Sequence, residues 1–250
     1  GQAAYRGRQL FQWVQARRAT DVSAMTTLSR DLRAMLAERI IVSRPEIARE
    51  QRATDGTRKF LFRLRDGEEI ESVLIPDGDR LTACISTQVG CPLACRFCVT
   101  GLMGMRRNLT SSEIVGEILT LQDRLTGEER ISNIVLMGMG EPLLNFHEVE
   151  RALRILCDEH GANFSPRRIT LSTAGHVPGI QKLAASDVGV NLAVSLSATT
   201  DEVRDQLMPI NKRWPIAELL KACRAYPLPQ RRRLTFEYVM LDGVNDTAED

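Results

Sequence analysis

Aromatic residues are scarce. Phe, Trp and Tyr make up 5% of the 250 residues, so the core is expected to be mainly aliphatic. No run of 18 apolar residues occurs, and the sequence predicts no transmembrane helix and no membrane partner. No charged-then-apolar segment of the secretory kind opens residues 1–250, so a cytoplasmic location is expected. Internal repeats and low-complexity tracts are also missing. With 43% hydrophobic and 26% charged residues, a collagen-like or wholly disordered chain is excluded. Net charge is nearly absent: 33 basic and 32 acidic side chains give +1, and no global attraction to nucleic acid follows. The distribution is less even. Residues 1–70 carry 14 basic and 9 acidic side chains, a net of +5, which suits either a solvated surface or contact with an acidic polymer.

The first residue is Gly1, residues 2–17 already read as a helix, and Asn245–Asp250 read as the start of a turn or helix. A piece cut at one or both ends is expected. The length suits one large domain, or one domain with a small accessory module.

Apolar residues at Leu10, Phe11, Val14, Leu28, Leu32, Met35 and Leu36 follow helical spacing and predict two or three short helices. Lys59–Leu64 alternates Phe60, Phe62 and Leu64. With the Asp66-Gly67 turn signal and the strand-like Ile70–Ile75, it predicts a hairpin. Residues 41–58 read as the connection between helices and hairpin. From Leu81 the pattern changes. Strands are predicted at 81–86, 131–137, 168–172, 189–195 and 233–240, and helices at 111–124, 146–159, 178–186 and 214–226. A capping box is expected around Thr110 or Ser111 with Glu113. Alternation of this kind implies parallel βαβ units in an open sheet or barrel, with ligands at the C-terminal strand ends. The fold class is therefore α/β. The organisation is a helical accessory domain at 1–45, a linker and β-hairpin at 46–76, and the βα region at 77–250.

Four of the six cysteines, Cys84, Cys91, Cys95 and Cys98, fall within fifteen residues. Such clustering in a cytosolic protein points to metal or catalysis rather than disulfides. Cys91, Cys95 and Cys98 form a C-x3-C-x2-C triplet just after the first βα strand. Soft thiolates suit zinc or iron–sulfur. A zinc site would need a fourth ligand, for which Cys84 is available. Three cysteines alone match a cubane whose fourth iron stays open for a ligand. Incidental core cysteines are the remaining reading. After the second βα strand, Met137-Gly-Met-Gly-Glu141-Pro142 pairs glycines with a carboxylate able to accept from an ammonium group. Ser172 and Ser195 to Ser197 end the next two strands, where hydroxyls reach a ribose or carboxylate, or simply cap helices.

The triplet, with Phe97 before its last cysteine, resembles the radical S-adenosylmethionine (radical SAM) superfamily, and Gly138–Pro142 resembles that superfamily's GGEP-like element. The likeness is closer still to the RlmN/Cfr family of RNA adenine methyltransferases, the RlmN branch above all. It is carried by Cys84–Cys91, Gly138–Asn145, Ser172–Gly175, Met208–Lys212, Glu237–Asp242 and Tyr5–Leu10. The resemblance implies a partial (β/α)6 TIM-like barrel whose last strand is missing. It implies a [4Fe-4S] cluster on Cys91, Cys95 and Cys98. S-adenosylmethionine would be lined by Gly140, Glu141, Ser172, Ser195, Leu196 and Ser197, although the family often has His where Ser197 stands. Cys84 matches the resolving cysteine and Glu71 the proposed general base.

The implied reaction forms 2-methyladenine in 23S rRNA, and in tRNA. A methyl group is first moved onto a second cysteine, and a 5′-deoxyadenosyl radical then activates it. Cys84 closes a disulfide that releases product, and a flavodoxin-type donor returns the electrons. The family's second cysteine lies near its C-terminus, and nothing after Cys223 is cysteine. Cys223 and Cys157 sit in helical apolar stretches and are expected to pack. The chain thus resembles about two-thirds of a family member, and the fragment alone is expected not to turn over. Three rival readings are adenine C8 methylation of the Cfr type, another radical SAM enzyme, and a metal-stabilised RNA-binding protein without catalysis. Arg106, Arg107 and Arg231 to Arg233 are candidates for phosphate contact, or for a solvated surface.

Overall fold

A computed structural model describes residues 3–230 and 232–249. Arg231, together with Gly1, Gln2 and Asp250, lies outside the described residues. The chain opens with helices α1 (Ala4–Gln15) and α2 (Arg30–Ala37), linked through a short 3-10 turn at Val22–Ala24. Ser29 caps α2 by accepting from the Leu32 amide. The apolar spacing resolves into a small core of Val22, Met25, Leu28 and Leu32, ringed by Leu10, Trp13, Val14, Met35 and Leu36. Arg18 donates to the Gln122 carbonyl at 2.9 Å, and Arg18 and Arg44 both pair with Asp123.

Next come β1 (Glu46–Arg52), β2 (Arg58–Arg63), β3 (Glu69–Asp77) and β4 (Arg80–Cys84), each antiparallel to the one before. Residues 46–52, read from sequence as part of the connection, are thus a strand. Its polar composition is that of a solvated edge. A two-stranded ribbon, β5 (Gln88–Gly90) with β6 (Met105–Asn108), brackets the short helix α3 (Val99–Leu102). The helix α4 (Ser111–Asp123) then begins at a complete capping box. Thr110 accepts from the Glu113 amide, and the Glu113 carboxylate accepts from the Thr110 amide.

From here strand and helix alternate: β7 (Asn133–Leu136), α5 (Phe146–Cys157), β8 (Ile169–Thr173), α6 (Val177–Ala185), β9 (Asn191–Ser195), α7 (Asp201–Leu207), α8 (Ile216–Ala225) and β10 (Thr235–Glu237). The predicted strands and helices fall here, with α7 added and the last strand shorter than 233–240. One eight-stranded sheet results, in the order β1-β2-β3-β4-β7-β8-β9-β10. The pairs from β4 to β10 are parallel, and the expected hairpin continues the parallel sheet across β4.

Register divides the sheet into two faces. Ala83, Ile134, Ile169, Leu171, Leu192 and Val194 are each 1% exposed or less, and pack with Ile118, Leu153, Ile180 and Leu219 of the helices. The other face follows the register chain Val73–Cys84–Val135–Thr170–Asn191, and then Ser172–Ala193–Thr235. Side chains alternate with period two, so Glu71, Cys84, Ser172, Ser195 and Glu237 all belong to this second, partly open face.

Candidate active site

The cysteine triplet lies in the loop between β5 and α3. The loop starts at Gly90, whose φ is +76°. A Cβ there would stand 1.9 Å from the Gly104 carbonyl oxygen, which itself accepts from the Cys91 amide at 3.0 Å. Only glycine allows this closure. Farther on, Arg96 N–H donates to the Leu207 carbonyl at 2.9 Å. Leu93, Cys95 and Phe97 pack on Leu207, Met208 and Ile210. The loop is thereby fixed to the end of α7.

All six cysteines carry free thiols. Cys91, Cys95 and Cys98 open onto one cavity of about 250 Å³, which Gly140, Glu141, Ser172, Ser195 and Glu237 also line. Burial pushes the Cys91 thiol up to about 11. Burial, then the neighbouring Cys91 and Cys98, push Cys95 up to about 12. Deprotonating such a set needs a compensating cation, and metal coordination supplies one. Among the described residues no three His, Cys, Asp or Glu side chains form a ready-made metal group. The fit lies in the donor set: three soft sulfurs on a glycine-closed loop, with one side facing a cavity. That set suits a cluster with one iron left open better than a closed four-ligand zinc site.

The loop after β7 carries Gly140 at φ +105°, where a Cβ would fall 2.6 Å from that of Gln88. Gln88 is fully buried and its Oε1 accepts from the Glu141 amide at 2.8 Å. The Glu141 carboxylate accepts from the Leu143 amide at 3.1 Å and the Ala174 amide at 2.8 Å. It therefore ties the loop after β7 to the loop after β8. Burial raises its pKa against these hydrogen bonds.

Ser172 and Ser195 face the same cavity, and both hydroxyls donate to Glu237 Oε2, at 2.5 and 3.0 Å. Leu196 and Ser197 are outside the cavity lining among the described residues. Ser197 is fully buried with φ +52°, and its hydroxyl accepts from the Val239 amide at 3.4 Å. Arg204, also fully buried, donates to the carbonyls of Ala174, Ser195 and Leu196 at 2.7, 3.0 and 2.9 Å, and to Asn211 Oδ1 at 3.0 Å. It holds the strand-end loops of β8 and β9 together.

Cys84 and Glu71 stand on the open face but not in the cavity lining. Burial first, then Glu117 and Glu237, push the Cys84 thiol up to about 11. The Glu71 carboxylate pairs with Lys59 Nζ at 2.8 Å. Val73 opposes Cys84 in register, so Glu71 lies on the same face, two residues along β3. Cys223 is buried and Cys157 packs against the main core, as expected of both. Arg107 is held by Asp66 at 2.7 Å and by Glu113 at 2.9 Å. Sequence reasoning assigned no role to Gln88, Arg204 or Glu237. Glu237 was visible only as the first residue of a motif, and its place beside the two serines comes from register.

Residues 85–250 match the family model of the radical SAM superfamily, and residues 1–42 match that of the ribosomal RNA large subunit methyltransferase N-terminal domain. The dual-specificity RNA methyltransferase RlmN of Rhodospirillum rubrum is 55% identical over 258 residues, which cover all of this chain and 60% of that protein. The protein of the same name from Desulfosudis oleivorans is 53% identical, covering 99% of this chain and 67% of that one. The chain thus spans about three-fifths to two-thirds of these relatives' lengths. The crystal structure of a radical SAM methyltransferase from Sphaerobacter thermophilus superposes with a TM-score of 0.92 at 48% identity. That match covers 98% of this chain and 72% of the other.

Proposed function

The chain belongs to the RlmN family of radical SAM proteins, and from that premise we propose that its parent protein methylates RNA, forming 2-methyladenine in 23S rRNA and in tRNA. One observation carries the reading: the three thiols, the Gly140-Glu141 loop and the strand-end serines surround a single cavity. A [4Fe-4S] cluster on Cys91, Cys95 and Cys98 would supply the electron that cleaves S-adenosylmethionine. A radical route suits the substrate, because C2 of adenine is not nucleophilic and ordinary methyl transfer fails there.

The chain's own residues position and protect. Gly140, Glu141, Ser172 and Ser195 bind S-adenosylmethionine. Leu196 and Ser197 shape the strand end behind it, with Arg204 bracing the Ser195 and Leu196 carbonyls. Cys84 rests as a thiol and becomes a nucleophile only on losing its proton. Glu71 is the general base on the same face, held by Lys59. A second cysteine, from beyond residue 250, carries the methyl group and is resolved by Cys84 as a disulfide. A flavodoxin-type donor returns the electrons. Residues 1–45 form the RNA-binding module and residues 77–250 the barrel, joined by the segment 46–76. Arg106, exposed on β6, is the phosphate contact of its pair, since Arg107 is already spent on two carboxylates. The protein works in the cytoplasm.

The test uses full-length protein, purified without oxygen and reconstituted. Iron and sulfide are counted, the reduced cluster's EPR spectrum is recorded with and without S-adenosylmethionine, and methylated RNA digests are resolved by mass spectrometry. Roughly four irons and four sulfides, a spectrum that responds to S-adenosylmethionine, and 2-methyladenosine are expected. Zinc in place of iron, or a spectrum blind to S-adenosylmethionine, would overturn the reading. The 8-methyl product would move the chemistry to adenine C8.

A further inference from the structure

Glu237 ends β10, the edge strand, directly opposite Ser195 in register. Its carboxylate receives both strand-end hydroxyls, from Ser172 and from Ser195, on the same oxygen, Oε2. Oε1 accepts from no described residue. No arginine or lysine lines the cavity among the described residues. The only other acidic side chain in the lining, Glu141, is occupied by the backbone amides of Leu143 and Ala174. Glu237 therefore presents the cavity with an oriented carboxylate, one oxygen of which is free of donors from described residues. Two serine donors fix its plane from neighbouring strands.

A carboxylate so placed is suited to a vicinal diol. Each hydroxyl of a ribose can donate to it, as when an acidic residue at a strand end holds the ribose of a dinucleotide. We propose that Glu237 is the acceptor for the ribose hydroxyls of S-adenosylmethionine, with Ser172 and Ser195 orienting the carboxylate rather than reading the diol themselves. The assignment rests on the functional reading above and makes Glu237 the residue that selects a ribonucleoside ligand.

Reconstituted full-length protein, wild type and Glu237→Gln, is compared by equilibrium dialysis against S-adenosylmethionine and its 2′-deoxy and 3′-deoxy analogues. Iron content and thermal melting are measured for each. Wild type should prefer S-adenosylmethionine over at least one deoxy analogue by roughly ten- to hundredfold, the range for a hydrogen bond to a charged acceptor. In Glu237→Gln that preference should shrink to within about threefold, with binding of the deoxy analogue little changed. A variant that keeps the wild-type preference overturns the proposal. So does one that weakens all three ligands equally, since that marks a merely structural role. Wild-type protein that binds no S-adenosylmethionine would overturn the radical SAM reading and the proposal with it. If Glu237→Gln fails to fold, Glu237→Asp serves the same comparison. It keeps the charge but withdraws it by one methylene, and should lose part of the diol preference.

Discussion

The two faces of the parallel sheet share every backbone hydrogen bond and differ in everything else. Across β4, β7, β8 and β9 the helix-covered face is built chiefly from Ile, Leu, Val and Ala, almost wholly removed from water. The open face carries Glu71, Cys84, Ser172, Ser195 and Glu237, and is only partly covered. A strand has period two, so stability and chemistry can be written on alternate residues without compromise. The difference predicts that substitutions on adjacent residues of one strand will fall into separate classes.

The largest effect on folding should come from the covered face. Leu171→Ala or Ile134→Ala removes a fully buried aliphatic side chain with helices packed against it. A loss of about 2–5 kcal/mol is expected in urea unfolding, the range for large-to-small core changes. A loss below about 1 kcal/mol at both positions would break the comparison, because that is what a site left open to solvent shows.

The covered face also buries polar side chains, among them Ser72, Thr173 and Glu117, and Glu117 sharpens the contrast. Glu117 of α4 is fully buried. Ser72 Oγ donates to it at 2.5 Å and the Ser86 amide at 2.9 Å, while Oε1 has no partner. Burial pushes its carboxyl up to about 8. The folded state therefore holds a proton that the unfolded state releases near its ordinary value of 4.5. This contribution to stability is complete below pH 4.5 and is lost as pH rises to about 8, at up to about 1.4 kcal/mol per unit. Glu117→Gln, measured by urea titration across that window, should flatten the decline. Identical slopes in both proteins would rule out a buried neutral carboxyl.

Much of this was legible in the sequence, for definite reasons. The covered face gave short aliphatic runs, and those marked β4, β7, β8 and β9. Thr110, Ser111 and Glu113 announced the capped start of α4. The misses have reasons too. Glu46–Arg52 forms β1 with a polar, edge-type composition, so no alternation betrayed it. Asp201–Leu207 is a seven-residue helix, too short for a periodic signal. The triplet and the Gly138–Pro142 loop could be found because spacing along the chain carries their chemistry. Glu71 and Glu237 could not, because their roles depend on register between strands distant in sequence. For Glu71 only the family resemblance pointed to it.

Glycine at the mouth of the open face gives the next effect. Gly140 has φ +105° and no room for a Cβ beside Gln88. Gly140→Ala should strain the Glu141 loop by about 1–3 kcal/mol. Because that loop borders the cavity, the variant should retain a folded core while losing S-adenosylmethionine binding. Dialysis alongside a thermal melt reads both. Full ligand affinity in Gly140→Ala would mean that the loop does not shape the site.

The smallest effect on stability should come from the open face, next to the residue with the largest. Ser172 follows Leu171 and is 8% exposed, against 0% for its neighbour. Ser172→Ala deletes one hydroxyl and one hydrogen bond to Glu237 Oε2, which keeps its bond from Ser195. The carboxylate borders a cavity and regains a water for the donor it loses. The net change in unfolding free energy is therefore expected near 1 kcal/mol or less. The same deletion frees the Glu237 carboxylate to turn, so S-adenosylmethionine affinity should fall by about tenfold. The two measurements separate the faces on one pair of adjacent residues. Leu171→Ala costs stability first and affinity only as unfolding begins, and Ser172→Ala does the reverse. A Ser172→Ala protein that is destabilised as much as Leu171→Ala would mean that the Ser172–Glu237–Ser195 bridge holds the edge strand in place, and the open face would then be structural as well as chemical.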